Sequence, residues 1–128
     1  MQRRSAIMWV FFVILAVATP AVAGLPVTNV TVGKAKKLIK ERAGKADFVI
    51  LDVRTPDEFA EGHINGAVNL DVQSRDFEKE LRKLDREKSY LVYCRTGNRS
   101  GKARAILMKH GFVDVINGGG LRDMPPLD

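Results

Sequence analysis

One cysteine, Cys94, is all this chain has, so no intramolecular disulfide can hold its fold. Its 128 residues leave room for one compact core and too little for two. A comfortable bilayer-crossing segment is also missing, because the apolar stretch from Ala6 to Ala18 falls short of the about 20 residues a span needs. Preceded by Arg3 and Arg4 and followed by the small-residue series Ala21-Val22-Ala23, that stretch reads as a secretory signal peptide over residues 1–23, cleaved after Ala23. The alternative is an uncleaved anchor reaching from Trp9 to Ala23, and only in that case is a membrane partner expected. Residues 24–128 then make a single domain of 105 residues, and loss of Arg3 and Arg4 takes the formal net charge from +6 to +4. Charge of one sign is absent as well. Basic residues between Lys34 and Lys109 are interspersed with acidic ones, the pattern of solvated helix faces, which excludes a nucleic-acid face.

What the chain does have is a thiol in an unusual setting. Cys94 follows the apolar run Tyr90 to Tyr93 and precedes a helical pattern, so it lies where a buried strand becomes a helix. Backbone N–H groups at such a turn form an anion-binding concavity, the helix N-terminus adds partial positive charge, and Arg95 and Arg99 add two cations. Each favours sulfur as thiolate over a free thiol of pKa about 8.5, which nominates Cys94 as a nucleophile rather than a small buried apolar residue.

Period and capping signals order the rest. Thr28–Val30 reads as a short strand, Thr31 as a cap, and Val32 to Arg42 as a helix with Ala35, Leu38 and Ile39 on one face. Phe48 to Val53 is a strand buried on both faces. Thr55, Pro56 and Glu58 spell a capping box with proline at the first helical position. Ala67–Leu70 is a second strand, followed by a charged helix within Arg75 to Lys88 whose apolar side is Phe77, Leu81 and Leu84. Ser89–Tyr93 is a third. A helix with Ala103, Ile106 and Leu107 inward ends at Gly111 as a left-handed cap. Phe112–Ile116 is the last strand, and Gly118, Gly119 and Gly120 open a loop. This alternation predicts an α/β domain with a mostly parallel central sheet flanked by helices on both faces, its ligand site beyond the carboxyl ends of the strands, where Cys94 lies.

Four segments carry a resemblance: Leu51-Asp52-Val53-Arg54-Thr55-Pro56-Asp57-Glu58-Phe59; Glu61-Gly62-His63-Ile64-Asn65-Gly66-Ala67-Val68-Asn69; Tyr93-Cys94-Arg95-Thr96-Gly97-Asn98-Arg99-Ser100; and Gly118-Gly119. In order and spacing they resemble the rhodanese family, from about Val30 to Gly120. With the exported N-terminus, the chain is similar to single-domain periplasmic members. The resemblance implies a thiosulfate sulfurtransferase whose Cys94 carries sulfane sulfur as a persulfide, with cyanide or a small thiol as acceptor, no metal or organic cofactor, and a monomeric protein. Arg99 matches the family's loop-closing arginine. It and Arg95 are expected to bind the oxyanion, with N–H groups from Thr96, Gly97, Asn98, Arg99 and Ser100 cradling the terminal sulfur. Asp52, Arg54 and Glu58 are expected to support the loop through ion pairs or hydrogen bonds, and His63 to satisfy nearby backbone rather than act as a base. Gly66 and Gly118 to Gly120 are expected to supply backbone conformations that a Cβ disfavours. Many members close with an aromatic residue and a further helix after the double glycine. Here Leu121, Arg122, Asp123, Met124 and Pro125-Pro126 follow, which implies an abbreviated cover and wider access.

Two competing readings use the same loop. A phosphatase or arsenate-handling enzyme of related fold has five residues between cysteine and arginine, whereas here only the four from Arg95 to Asn98 intervene and Ser100 stands where that arginine would fall. A smaller loop suits one persulfide sulfur and crowds a phosphate. The other reading is a sulfur-carrying or redox-sensing module whose persulfide passes to a protein acceptor.

Overall fold

The computed structural model describes residues 32–120. The expected signal peptide, the Thr28–Val30 strand and the segment after Gly120 lie outside these residues. Eight elements follow in order: α1 (Val32–Arg42), β1 (Phe48–Asp52), α2 (Pro56–Glu61), β2 (Val68–Asn69), α3 (Phe77–Leu81), β3 (Ser89–Cys94), α4 (Asn98–Lys109) and β4 (Asp114–Gly120). All four strands are parallel, in the order β2-β1-β3-β4.

Near-continuous apolar runs put β1 and β3 at the centre, where both sheet faces are covered. Alternation then divides their side chains between two cores. Phe48, Ile50, Leu91 and Tyr93 pack with Ala35 and Ile39 of α1 and with Ile64. Leu51, Val53, Tyr90, Val92 and Cys94 face the other way, onto Phe77 and Leu81 of α3 and Ala103 and Leu107 of α4. Helices therefore cover both faces, and Cys94 belongs to the α4 side.

The capping box forms as its residues dictate. Thr55 Oγ1 accepts the Glu58 N–H, the Glu58 carboxylate accepts the Thr55 N–H, and Pro56 starts the helix. Gly111, at φ +89°, ends α4 in the left-handed region.

Two elements differ from expectation. α3 is a five-residue helix that ends at Leu81 and leaves Leu84 outside it, because the Lys83 and Leu84 N–H groups bond to the Glu80 and Leu81 carbonyls three residues back, and Asp85 Oδ1 then accepts the Glu87 N–H in a turn. β4 begins at Asp114 and continues through all three glycines, which were expected to open a loop. Its register shifts opposite Val92 and Tyr93, so that Val92 pairs with Asn117 but Tyr93 with Gly119. Gly119, at φ +89°, absorbs the bulge and lets the ladder reach Cys94. Gly120 is required for a different reason, since a Cβ there would stand 2.5 Å from the Arg95 carbonyl oxygen.

Candidate active site

β3 carries Cys94 to the carboxyl edge of the sheet, and three residues, Arg95 to Gly97, turn the chain into α4. Gly97 makes this tight turn at φ +96°, where its Cα face lies against Gly119. The sulfur is fully buried beneath the loop. The Gly97 N–H donates to Sγ at 2.9 Å, and the Ser100 hydroxyl stands 3.4 Å from it. Burial pushes the thiol pKa up, but the Ser100 hydroxyl and the backbone N–H groups of Ser100, Thr96 and Gly97 together outweigh it, so the thiol lies below its ordinary value.

The two loop arginines are placed differently. Arg95 is exposed. Arg99 is paired with Glu58 in a bidentate fork, Nη1 to Oε1 at 2.7 Å and Nη2 to Oε2 at 2.9 Å. Its remaining N–H donors are the ones available to an oxyanion, and the carboxylate that orients them also cancels much of their charge. Arg99 still responds to charge on Cys94 and Asp71. Thr96 and Asn98 are both exposed, and of the two it is the Thr96 backbone N–H that acts on the sulfur.

Glu58 thus joins the cap of α2 to the first turn of α4. The Arg99 hydrogen bonds are the chief cause that lowers its carboxyl from 4.5 to about 2, against burial, with help from Thr55. A carboxyl depressed on folding adds stability that is complete above about pH 4.5 and is lost as pH falls toward 2. With both side chains about a quarter exposed, the contribution at neutral pH is about 2 kcal/mol. Urea unfolding midpoints measured from pH 6 to 2 should show a shallower acid decline for Glu58→Gln than for wild type; identical slopes would mean the pair adds nothing.

Asp52 and Arg54 form a second, separate pair rather than one network with Glu58. Arg54 Nε and Nη2 reach the Asp52 carboxylate at 3.0 and 2.7 Å, and Nη2 also donates to the Gly62 carbonyl at 2.7 Å. The Tyr93 hydroxyl donates to Asp52 Oδ2 at 2.8 Å and accepts the Ile64 N–H. The pair therefore fastens the α2–β2 connection to the α1 side of the sheet, opposite the sulfur. His63 stacks on Phe59 with ring centroids 3.6 Å apart, and its Nδ1 is 2.8 Å from the Phe59 carbonyl. These contacts hold a turn.

Sequence reasoning passed over Asn117. It is buried on β4, and its Oδ1 accepts the Ser100 hydroxyl at 2.7 Å. The available signal was an amide between a strand's apolar residues and a glycine run, where a merely structural strand would carry another apolar side chain.

A family model, Rhodanese-like domain, matches residues 34–121. The thiosulfate sulfurtransferase PspE of Escherichia coli is 34% identical over 74 residues, covering 58% of this chain and 71% of that protein. The thiosulfate sulfurtransferase GlpE of Pseudomonas putida is 44% identical over 78 residues, covering 59% and 68%. Among solved structures, a rhodanese with anions from E. coli superposes with a TM-score of 0.52 at 33% identity, covering 61% of this chain and 94% of that one.

Proposed function

The chain belongs to the rhodanese family, and from that kinship with sulfurtransferases we propose that it moves sulfane sulfur from thiosulfate through a Cys94 persulfide to cyanide or a thiol. The observation that carries this reading is the buried sulfur at a strand end with a backbone N–H aimed at it from 2.9 Å. In the first half-reaction the Cys94 thiolate attacks the outer sulfur of thiosulfate. A new S–S bond forms as the old one breaks, and the electron pair leaves with sulfite. In the second, cyanide attacks the outer persulfide sulfur, thiocyanate departs and the electron pair returns to Cys94 as thiolate. No proton moves in either step, so no general base is needed and His63 has no part. The loop N–H groups hold the negative outer sulfur, while Arg95 and the unpaired donors of Arg99 meet the sulfite oxygens. We assign no cofactor beyond the covalent sulfur, an exported location, and a monomer.

Intact-mass spectrometry after thiosulfate treatment tests the reading. Wild-type protein should gain one sulfur atom and lose it to cyanide with release of thiocyanate; a chain that never gains it is not a thiosulfate sulfurtransferase.

Arg99→Lys should be a substantial defect despite its conserved charge, because an ammonium cannot span both Glu58 oxygens and still present a fixed fork. Arg99→Ala should lower the thiosulfate rate on the order of a hundredfold. Normal kinetics in both would pass the oxyanion role to Arg95 and the loop N–H groups.

A further inference from the structure

The Ser100 hydroxyl has one proton and three acceptors within reach: Asn117 Oδ1 at 2.7 Å, the Gly97 carbonyl at 3.0 Å and Cys94 Sγ at 3.4 Å. The Asn117 amide is oriented by backbone on either side. Its Oδ1 accepts the Gly119 N–H at 3.1 Å and its Nδ2 donates to the Gly97 carbonyl at 3.4 Å, so oxygen faces Ser100. While Cys94 is a thiol, its S–H can donate to Ser100, whose own proton is then free for Asn117. Once Cys94 is a thiolate, the hydroxyl must turn to the sulfur, and Asn117 Oδ1 gives up the Ser100 proton while still accepting the Gly119 N–H.

We propose that Asn117 is a positioning residue that competes with the Cys94 thiolate for the Ser100 proton. A persulfide carries its charge on the outer sulfur, which releases the inner sulfur's claim on that proton. Asn117 therefore favours the loaded enzyme over the free thiolate. This last consequence rests on the sulfurtransferase reading; the competition itself concerns the unloaded cysteine.

Few charges obscure the effect. On α4, Arg99 is neutralised by Glu58 of α2, with Asp71 also acting on it, and Arg104 donates to the Val115 carbonyl. Arg95 is exposed in the loop, Asp52 of β1 pairs with Arg54 just beyond that strand, and β4 carries no charged residue from Val115 to Gly120. Substitution at 117 leaves all of these in place.

The test is the pH dependence of iodoacetamide alkylation of Cys94 in the full chain, in wild type, Asn117→Ala, Ser100→Ala and the double variant. Asn117→Ala should move the midpoint down by up to about one pH unit, the size of one net hydrogen bond, and should do nothing in the Ser100→Ala background. An unchanged or raised midpoint in folded Asn117→Ala, or an equal shift in both backgrounds, overturns the proposal. Should Asn117→Ala fail to fold, Asn117→Asp decides by the same comparison: a larger rise with Ser100 present supports competition, and an equal rise without it refutes it. Wild-type protein that takes no sulfur from thiosulfate would sink the sulfurtransferase reading alone, leaving the alkylation comparison intact.

Discussion

Cys94→Ser should abolish both sulfur loading from thiosulfate and thiocyanate release, while leaving the unfolding curve close to that of wild type. Serine is smaller than cysteine by little, and its site offers hydrogen bonds on two sides. The Gly97 N–H that meets the sulfur at 2.9 Å would meet a hydroxyl oxygen instead, and Ser100 stands close enough to bond it. The buried polar atom is therefore satisfied, so no large folding penalty is expected. Chemistry is another matter. A serine hydroxyl has no anionic form near neutral pH and cannot bond to sulfane sulfur as a polarisable thiolate does, and no second cysteine exists to substitute. The expected contrast is complete loss of turnover with circular dichroism and urea midpoint preserved. A variant that still released thiocyanate at the wild-type rate would remove Cys94 from the mechanism.

How much of this site is legible in the chain depends on the sequence distance over which each interaction acts. The capping box spans Thr55 to Glu58, a single turn, so local chemistry decides it and the structure follows. The Cys94 loop is similarly local: its strand, its turn and the start of α4 fall within a few residues, and the Gly97 N–H finds the sulfur three positions back. The partners of the ionic residues are not local. Arg99 and Glu58 are 41 positions apart, and nothing in either segment distinguishes a guanidinium held for an oxyanion from one held by a carboxylate. Only the docking of α2 beside α4 makes the choice. Asn117 is hidden for the same reason, because its role depends on the register of β4 against β3. The glycine run shows a related limit. Three glycines suggest a loop on composition, but here they carry a bulged strand past Cys94, and Gly120 is small because the Arg95 carbonyl passes beneath it.

Asp52→Ala should be the most destabilising single change at the site's periphery, by about 3–5 kcal/mol, out of a total of about 5–15 kcal/mol for a typical domain. Asp52 has no exposed surface and Arg54 is only 5% exposed. Removing the carboxylate leaves a buried guanidinium with the hydrogen bond to the Gly62 carbonyl and the Tyr93 ring face, and strips the Tyr93 hydroxyl and the Arg54 N–H of their acceptor. Most of the loss is thus an uncompensated charge rather than a missing attraction. The double variant Asp52→Leu/Arg54→Met should recover part of the stability by removing that charge, although Gly62 and Tyr93 then lose partners they have in the native fold. Urea unfolding of the two variants separates these contributions; a double variant no more stable than Asp52→Ala would assign the cost to the hydrogen bonds. Because the pair lies on the α1 side of the sheet and the sulfur on the α4 side, the folded fraction of Asp52→Ala should alkylate at Cys94 with the wild-type pH profile. A displaced profile would mean that Asp52 reaches the sulfur, and would move it from structural support into the chemistry of the site.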